Sequence, residues 1–132
     1  AASDVYKRQL VLGTGGASQA VQYVLAQMEI PFDLVSRNPA TGNYTYDEVS
    51  DEVIGSHRLI INASPVGMHP NVEEAPRIPY AFVTPSHYLF DLIYNPAETL
   101  FLQYGAQRGA HTCNGLDMLV GQAEAAWAIW NR

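Results

Sequence analysis

This chain is poor in positive charge. Seven Lys and Arg residues stand against thirteen Asp and Glu, giving a net charge of −6 at pH 7. Lysine occurs once, at Lys7, and no run of basic residues exists. A nucleic-acid surface needs a basic patch or stripe, so no nucleic-acid partner is expected. Cysteine also occurs once, at Cys113, which rules out an internal disulfide. His57, His69, His87 and His111 are scattered at no metal-ligand spacing, so no metal is expected. No apolar run approaches the ~20 residues that span a bilayer, so no membrane partner is expected either. Reduced cysteine usage and these absences suit a cytoplasmic protein. What is present is an ordinary globular balance, 48% hydrophobic and 15% charged over 132 residues, enough for one domain with one core.

Residues 1–9, AASDVYKRQ, are polar and lead directly into an apolar run. They are expected to be a leader, in part artefactual, because DVYKRQ can be back-translated as the end of a transposon used in sequencing libraries. Residues 10–132 are expected to form the domain.

Leu10-Val11-Leu12 predicts a short buried strand. From Ala17, apolar residues recur at Ala20, Val21, Val24, Leu25 and Met28, the spacing of an amphipathic helix, which Pro31 terminates. Phe32–Ser36 predicts a second strand and 38–43 a loop. Residues 46–53 predict a short helix and Arg58–Asn62 a third strand. Five prolines between 63 and 86 predict a long irregular crossing with one helical turn. His87–Leu92 predicts a fourth strand. Asn95, Pro96 and Glu98 then read as a helix start, with the helix ending at Gly109. Ala110–Cys113 predicts a fifth strand, and Asn114 a cap for a final helix. Strands alternating with helices predict an α/β fold, a Rossmann-like doubly wound parallel sheet with helices on both faces.

The strand-to-helix turn Gly13-Thr14-Gly15-Gly16-Ala17 carries the chemistry. The first glycine permits a tight turn. The second removes a side chain where a pyrophosphate could approach, and the helix N-terminus offers free N–H groups. A glycine corner without a ligand is the plainer alternative. The third fingerprint position is Ser18, small enough for close helix–strand contact. At the end of the second strand, NAD-binding proteins place a carboxylate for the ribose 2′-hydroxyl. Here the residues are Ser36-Arg37-Asn38, and Asp33 lies too early. Arg37 offers a planar cation suited to a 2′-phosphate, with hydrogen bonds from Ser36 and Asn38; the alternative is an ordinary exposed arginine. NADP is therefore favoured. Tyr44 and Tyr46 flank the following loop, where they could cover an adenine or simply pack.

The motifs GTGGAS, SRN, INASPVGM, DLIYNPAETLFL and NGLDMLVGQAEAAW occur in the order and spacing of the shikimate dehydrogenases. The resemblance covers residues 10–132, which correspond to that family's C-terminal cofactor domain. It implies reduction of 3-dehydroshikimate to shikimate with NADPH, in aromatic amino acid and chorismate biosynthesis. Ser36-Arg37-Asn38 resembles the family's Asn-Arg-Thr phosphate clamp, with only the arginine kept. The resemblance places Asn62 and Ser64 near the riboses, although turn formation would also account for such residues. It places the Leu92 backbone near the nicotinamide amide. It makes Tyr94 a shikimate-facing residue, against a plain strand-end tyrosine. In the final helix, Leu116, Leu119, Val120, Ala123, Trp127 and Trp130 form a core stripe. Gly115 would admit the nicotinamide, Met118 and Leu119 would wall its ring, and Gln122 would bind substrate or lie in solvent.

The family's catalytic Lys–Asp pair lies in an N-terminal substrate domain, and nothing in this chain matches it. No catalytic residue is therefore expected here. The chain is expected to bind NADP without turnover, with shikimate or 3-dehydroshikimate as partner only of the full-length enzyme. An NAD-preferring quinate/shikimate dehydrogenase and a stand-alone dinucleotide-binding regulatory module are the alternatives. Oligomeric state is left open.

Overall fold

The computed structural model describes residues 8–115. Their order is β1 (Gln9–Leu12), α1 (Gly16–Gln27), β2 (Phe32–Ser36), β3 (Tyr44–Thr45), α2 (Asp51–Gly55), β4 (Leu59–Asn62), β5 (Tyr88–Asp91), α3 (Leu100–Gln107) and β6 (His111–Asn114). Single 3₁₀ turns occur at Tyr46–Glu48 and Tyr80–Phe82. The leader's first seven residues and the expected final helix lie outside the described residues.

The strands form one sheet in the order β3-β2-β1-β4-β5-β6, and every neighbouring pair is parallel. This is the doubly wound order, in which the chain departs from its first strand in opposite directions. The central strands β1, β4 and β5 are largely apolar because both faces of the sheet are covered there, whereas the edge strands β3 and β6 are polar or half-exposed. Successive side chains point to opposite faces. Leu10, Leu12, Ile60 and Leu89 join Ile54, Phe101 and Leu102 on one face. Val11 and Ile61 join Leu25 of α1 on the other. Helices therefore lie on both faces, as the alternation of elements predicts.

Two expectations need correction. β3 was not foreseen: it is a two-residue edge strand in register with Val35 and Ser36. The helix expected from Asn95 begins instead at Leu100, with Thr99 as its cap. The reason is tertiary. Thr99 Oγ1 donates to Asp91 Oδ2 at 2.6 Å and accepts from the Leu102 N–H at 3.4 Å. A buried carboxylate at the end of β5 thus fixes where α3 starts. Asn95 has another task, its carbonyl accepting from the His69 N–H at 3.0 Å.

Asp91 is 1% exposed. It also accepts from the Ile93 N–H at 3.0 Å and from Asn62 Nδ2 at 3.2 Å. Burial raises its carboxyl above the ordinary carboxylate range, and the hydrogen bonds from Thr99, Ile93 and Asn62 offset this in part. A buried polar group that loses a partner costs about 1–3 kcal/mol. Thr99→Val, which removes the cap and a donor together, should lower unfolding stability by about that amount. Urea denaturation followed by circular dichroism checks this; an unchanged midpoint would contradict the anchoring role of Thr99.

Candidate nucleotide site

The ends of β1 and β4 part where the sheet order reverses, and a groove opens above them. After Leu12 the chain turns at Gly13, whose φ is +104°. A Cβ there would stand 3.1 Å from the Ser64 backbone and 3.2 Å from the Ala63 carbonyl oxygen. Both conformation and space therefore demand glycine. Gly15 and Gly16 differ, since a Cβ on either would meet nothing within 4 Å. They keep a cradle open rather than relieving a clash. Gly15 caps α1 with no side-chain hydrogen bond, and no acidic residue occupies the helix's first turn. The first N–H groups of α1 are left for an anion, reinforced by the helix dipole. Ser18 is fully buried and receives Gln22 Nε2 at 3.0 Å, so the third fingerprint position does hold the close contact expected of it.

The groove has a volume of about 1560 Å³, larger than the few hundred to about 1,000 Å³ usual for small-molecule sites. Its walls unite residues far apart in sequence: Gly13–Ala17, Ser36-Arg37-Asn38, Ser64, Leu92 and Tyr94 all line it. Sequence reasoning missed Thr41, Met68, His69 and Arg77 on the same walls. Only Thr41 carried a signal, as a hydroxyl in a turn-rich segment.

Several expected residues have narrower roles than a ligand contact. Asn62 is fully buried and does not line the groove. Its Nδ2 donates to the Val66 carbonyl at 3.1 Å, and its Oδ1 accepts from Ser64 Oγ at 2.6 Å and the Ser64 N–H at 3.2 Å. It shapes the turn after β4 from below, because a polar side chain buried at a strand end must find its partners in the backbone around it. Gly115 is explained by packing: a Cβ there would collide with the Leu92 carbonyl, so the glycine serves the β5 turn and does not line the groove. Asn114 ends β6 and donates Nδ2 to the Ala97 carbonyl at 2.9 Å; the helix it is expected to cap continues outside the described residues. Met118, Leu119 and Gln122 lie outside the described residues.

The two tyrosines after the loop separate. Tyr44 meets His57 edge-on at 6.4 Å and packs against the core. Tyr46 lines the groove. Burial raises its phenol above the ordinary value, offset in part by the Ser64 hydroxyl and the Arg37 charge. Asp33 is engaged far from the end of β2, at 2.7 Å from His57 Nε2 and 3.0 Å from Arg8 Nη1, so it is not the ribose carboxylate. Among the described residues no group of three His, Cys, Asp or Glu side chains could hold a metal. No described helix is long and apolar enough to cross a membrane.

No family model matches the chain. It is 36% identical over 140 residues to the shikimate dehydrogenase (NADP(+)) of Methanococcus maripaludis, covering 96% of this chain and 50% of that protein. The chain is a relative of the shikimate dehydrogenases. It spans about half the length of the curated relatives it matches. Among solved structures, shikimate dehydrogenase 1 of Peptoclostridium difficile is 39% identical with a TM-score of 0.72, covering 97% of this chain and 48% of that one. The shikimate 5-dehydrogenase of Thermus thermophilus, in complex with NADP(H) and shikimate, is 29% identical with a TM-score of 0.73, covering 96% and 49%.

The two kinds of glycine give a test. Gly15→Val should leave the thermal midpoint within about 2–4 °C of wild type and weaken dinucleotide binding at least tenfold, by filling the cradle. Gly13→Ala should instead lower the midpoint, through strain at positive φ. Calorimetry with and without nucleotide separates the two; equal nucleotide affinity in Gly15→Val would mean that the turn is only a corner.

Proposed function

We propose that the chain is the NADP(H)-binding domain of a shikimate dehydrogenase, an oxidoreductase that reduces 3-dehydroshikimate to shikimate. One observation carries this reading. A groove of dinucleotide size at the strand-order reversal joins a glycine turn and an uncapped helix N-terminus to an exposed cation, Arg37. Bound there, NADPH supplies a hydride for the ketone of the substrate.

The residues fit such a ligand. Gly15, Gly16 and Ala17 present open space and free N–H groups where a pyrophosphate would lie. Arg37 and Asn38 stand at the end of β2 for the 2′-phosphate. Ser64, held by Asn62, and Leu92 border the groove toward the nicotinamide end, and Tyr94, 64% exposed, faces the side from which substrate would enter. Met118, Leu119 and Gln122 complete the site in this reading.

In this reading the cofactor domain starts with β1 at Gln9, one residue before the boundary expected from the sequence. Reduction of a ketone also requires a proton donor and a stabilised oxyanion. The lone lysine, Lys7, lies outside the glycine turn and its helix, so these residues bind coenzyme and leave proton transfer to a substrate domain. The natural setting is cytoplasmic aromatic biosynthesis.

A second reading, preference for NAD, draws support from Asp47, a carboxylate on the groove wall that could hold a ribose diol. Titrating the chain with NADP⁺ and NAD⁺ by calorimetry decides between them. Tighter binding of NADP⁺ by at least tenfold, abolished in Arg37→Ala, is expected; equal or tighter binding of NAD⁺ overturns the NADP reading. Incubation with shikimate and NADP⁺ should give no absorbance change at 340 nm (the reduced-coenzyme band), and steady turnover would refute the assignment of proton transfer to another domain.

A further inference from the structure

We propose that Thr41 is a positioning residue for coenzyme choice, acting through Arg37 and Asn38; the proposal rests on the reading that the groove takes NADP(H). The starting point is a shortage of chain. Parallel neighbouring strands are normally joined by a crossover of a dozen or more residues, usually a helix. β2 and β3 are parallel neighbours, yet only residues 37–43 connect them. With no helix to brace the end of β2, the connection must brace itself.

It does so through a closed ring of hydrogen bonds. The Asn38 N–H donates to Ser36 Oγ at 3.0 Å. Thr41 Oγ1 donates to the Asn38 carbonyl at 3.1 Å. Ser36 Oγ and Thr41 Oγ1 lie 2.7 Å apart. The Asn38 carbonyl only accepts and can take the Thr41 proton, while between Ser36 Oγ and Thr41 Oγ1 either hydroxyl can donate. Both hydroxyls are engaged within the ring. The Thr41 N–H adds a bond to the same Asn38 carbonyl at 3.1 Å, and Asn38 Oδ1 accepts from the Ala40 N–H at 3.0 Å. Gly42 closes the loop against Ser36, where an added Cβ would stand 3.0 Å from the Ser36 Cβ.

Two consequences follow for an anion in the groove. Ser36 Oγ, expected in the phosphate clamp and on the groove wall, is already engaged by the Asn38 N–H and Thr41 Oγ1. The remaining side-chain donors of the triplet are the Arg37 guanidinium and Asn38 Nδ2, and the ring pins the backbone on both sides of Arg37. A long side chain loses rotamer freedom when it grips a ligand, and a fixed backbone keeps that loss from growing. Thr41 therefore acts on the 2′-phosphate through Arg37 and Asn38. It should not affect a coenzyme that lacks this phosphate.

Thr41→Val keeps the shape and branching of the side chain and removes both the donor and the acceptor. Thr41 is exposed, so folding should be little affected. In calorimetric titrations of the full chain, Thr41→Val should weaken NADP⁺ by about tenfold, the scale of one hydrogen bond to a charged-ligand site, and leave NAD⁺ within about twofold. Thr41→Ser should restore the wild-type ratio. Ser36→Ala, which breaks the ring from its other side, should repeat the loss and guards against a folding defect peculiar to Thr41→Val. Equal weakening of both coenzymes would overturn the proposal, since that is general damage to the groove. An unchanged NADP⁺/NAD⁺ ratio in Thr41→Val, with that ratio collapsed in Arg37→Ala, would overturn it and leave the cofactor reading standing. A ratio unchanged in Arg37→Ala, or no binding of either coenzyme by wild type, would overturn the cofactor reading and this proposal with it.

Discussion

Everything at the site depends on how closely two stretches of backbone pass each other where β1 and β4 end. Gly13 runs against Ala63 and Ser64 at a separation that leaves no room for a side chain. The Gly13 N–H is given to the Val35 carbonyl at 2.9 Å, and the Ala63 N–H to the Leu12 carbonyl at 2.9 Å. The last sheet hydrogen bonds are thus made at the point of departure, and the two chains then leave in different directions. The groove is the space this divergence opens, so its position follows from strand order rather than from any one ligand-facing residue.

A second layer of polar contacts keeps that opening in shape. Asn62 at the tip of β4 and Asp91 at the tip of β5 are register partners, and they are linked by the Asn62 amide. Asn62 organises the turn through Ser64 and Val66, while Asp91 fixes Ile93 and the first residue pair of α3 through Thr99. Two buried polar side chains therefore tie four segments together directly beneath the groove. Such a network stabilises only when nearly all its members are satisfied, and these members are.

The fold was legible where local pattern and final environment agree. Leu10-Val11-Leu12, Leu59-Ile60-Ile61 and the run through Leu89 and Phe90 announce buried parallel strands, because apolar residues there serve both faces of the sheet. The glycine turn was legible because a φ of +104° at Gly13 leaves a compositional trace. What escaped depended on partners distant in sequence. The α3 start rests on Asp91, eight positions before Thr99, and nothing near Thr99 reveals that a carboxylate waits for it; Asn95-Pro96 carries the stronger local signal. β3 exists because the edge of β2 offers its Val35 and Ser36 groups to Tyr44 and Thr45, not because two residues have a propensity of their own. The family resemblance puts Asn62 near a ribose and Gly115 beside a nicotinamide; in the structure Asn62 bonds to Ser64, Val66 and Asp91, and Gly115 makes room for the Leu92 carbonyl. Ser36 was expected to add a hydrogen bond to an anion, and only the three-dimensional ring shows that its hydroxyl is already engaged by Asn38 and Thr41.

The connection between β2 and β3 has a consequence for how such a protein diversifies. In a sheet whose crossover is a helix, the segment that reads the far end of the coenzyme is also part of the hydrophobic layer, and changing one disturbs the other. Here Arg37, Asn38, Ala40 and Thr41 are all exposed, and the bonds that shape them are internal to 36–43 apart from the Asn43 pairing with Leu34 at the sheet edge. The residues proposed to read the 2′-phosphate thus form one contiguous cassette with little claim on the core. Such a cassette can drift, or be exchanged between homologues, at a rate set by ligand chemistry rather than by folding.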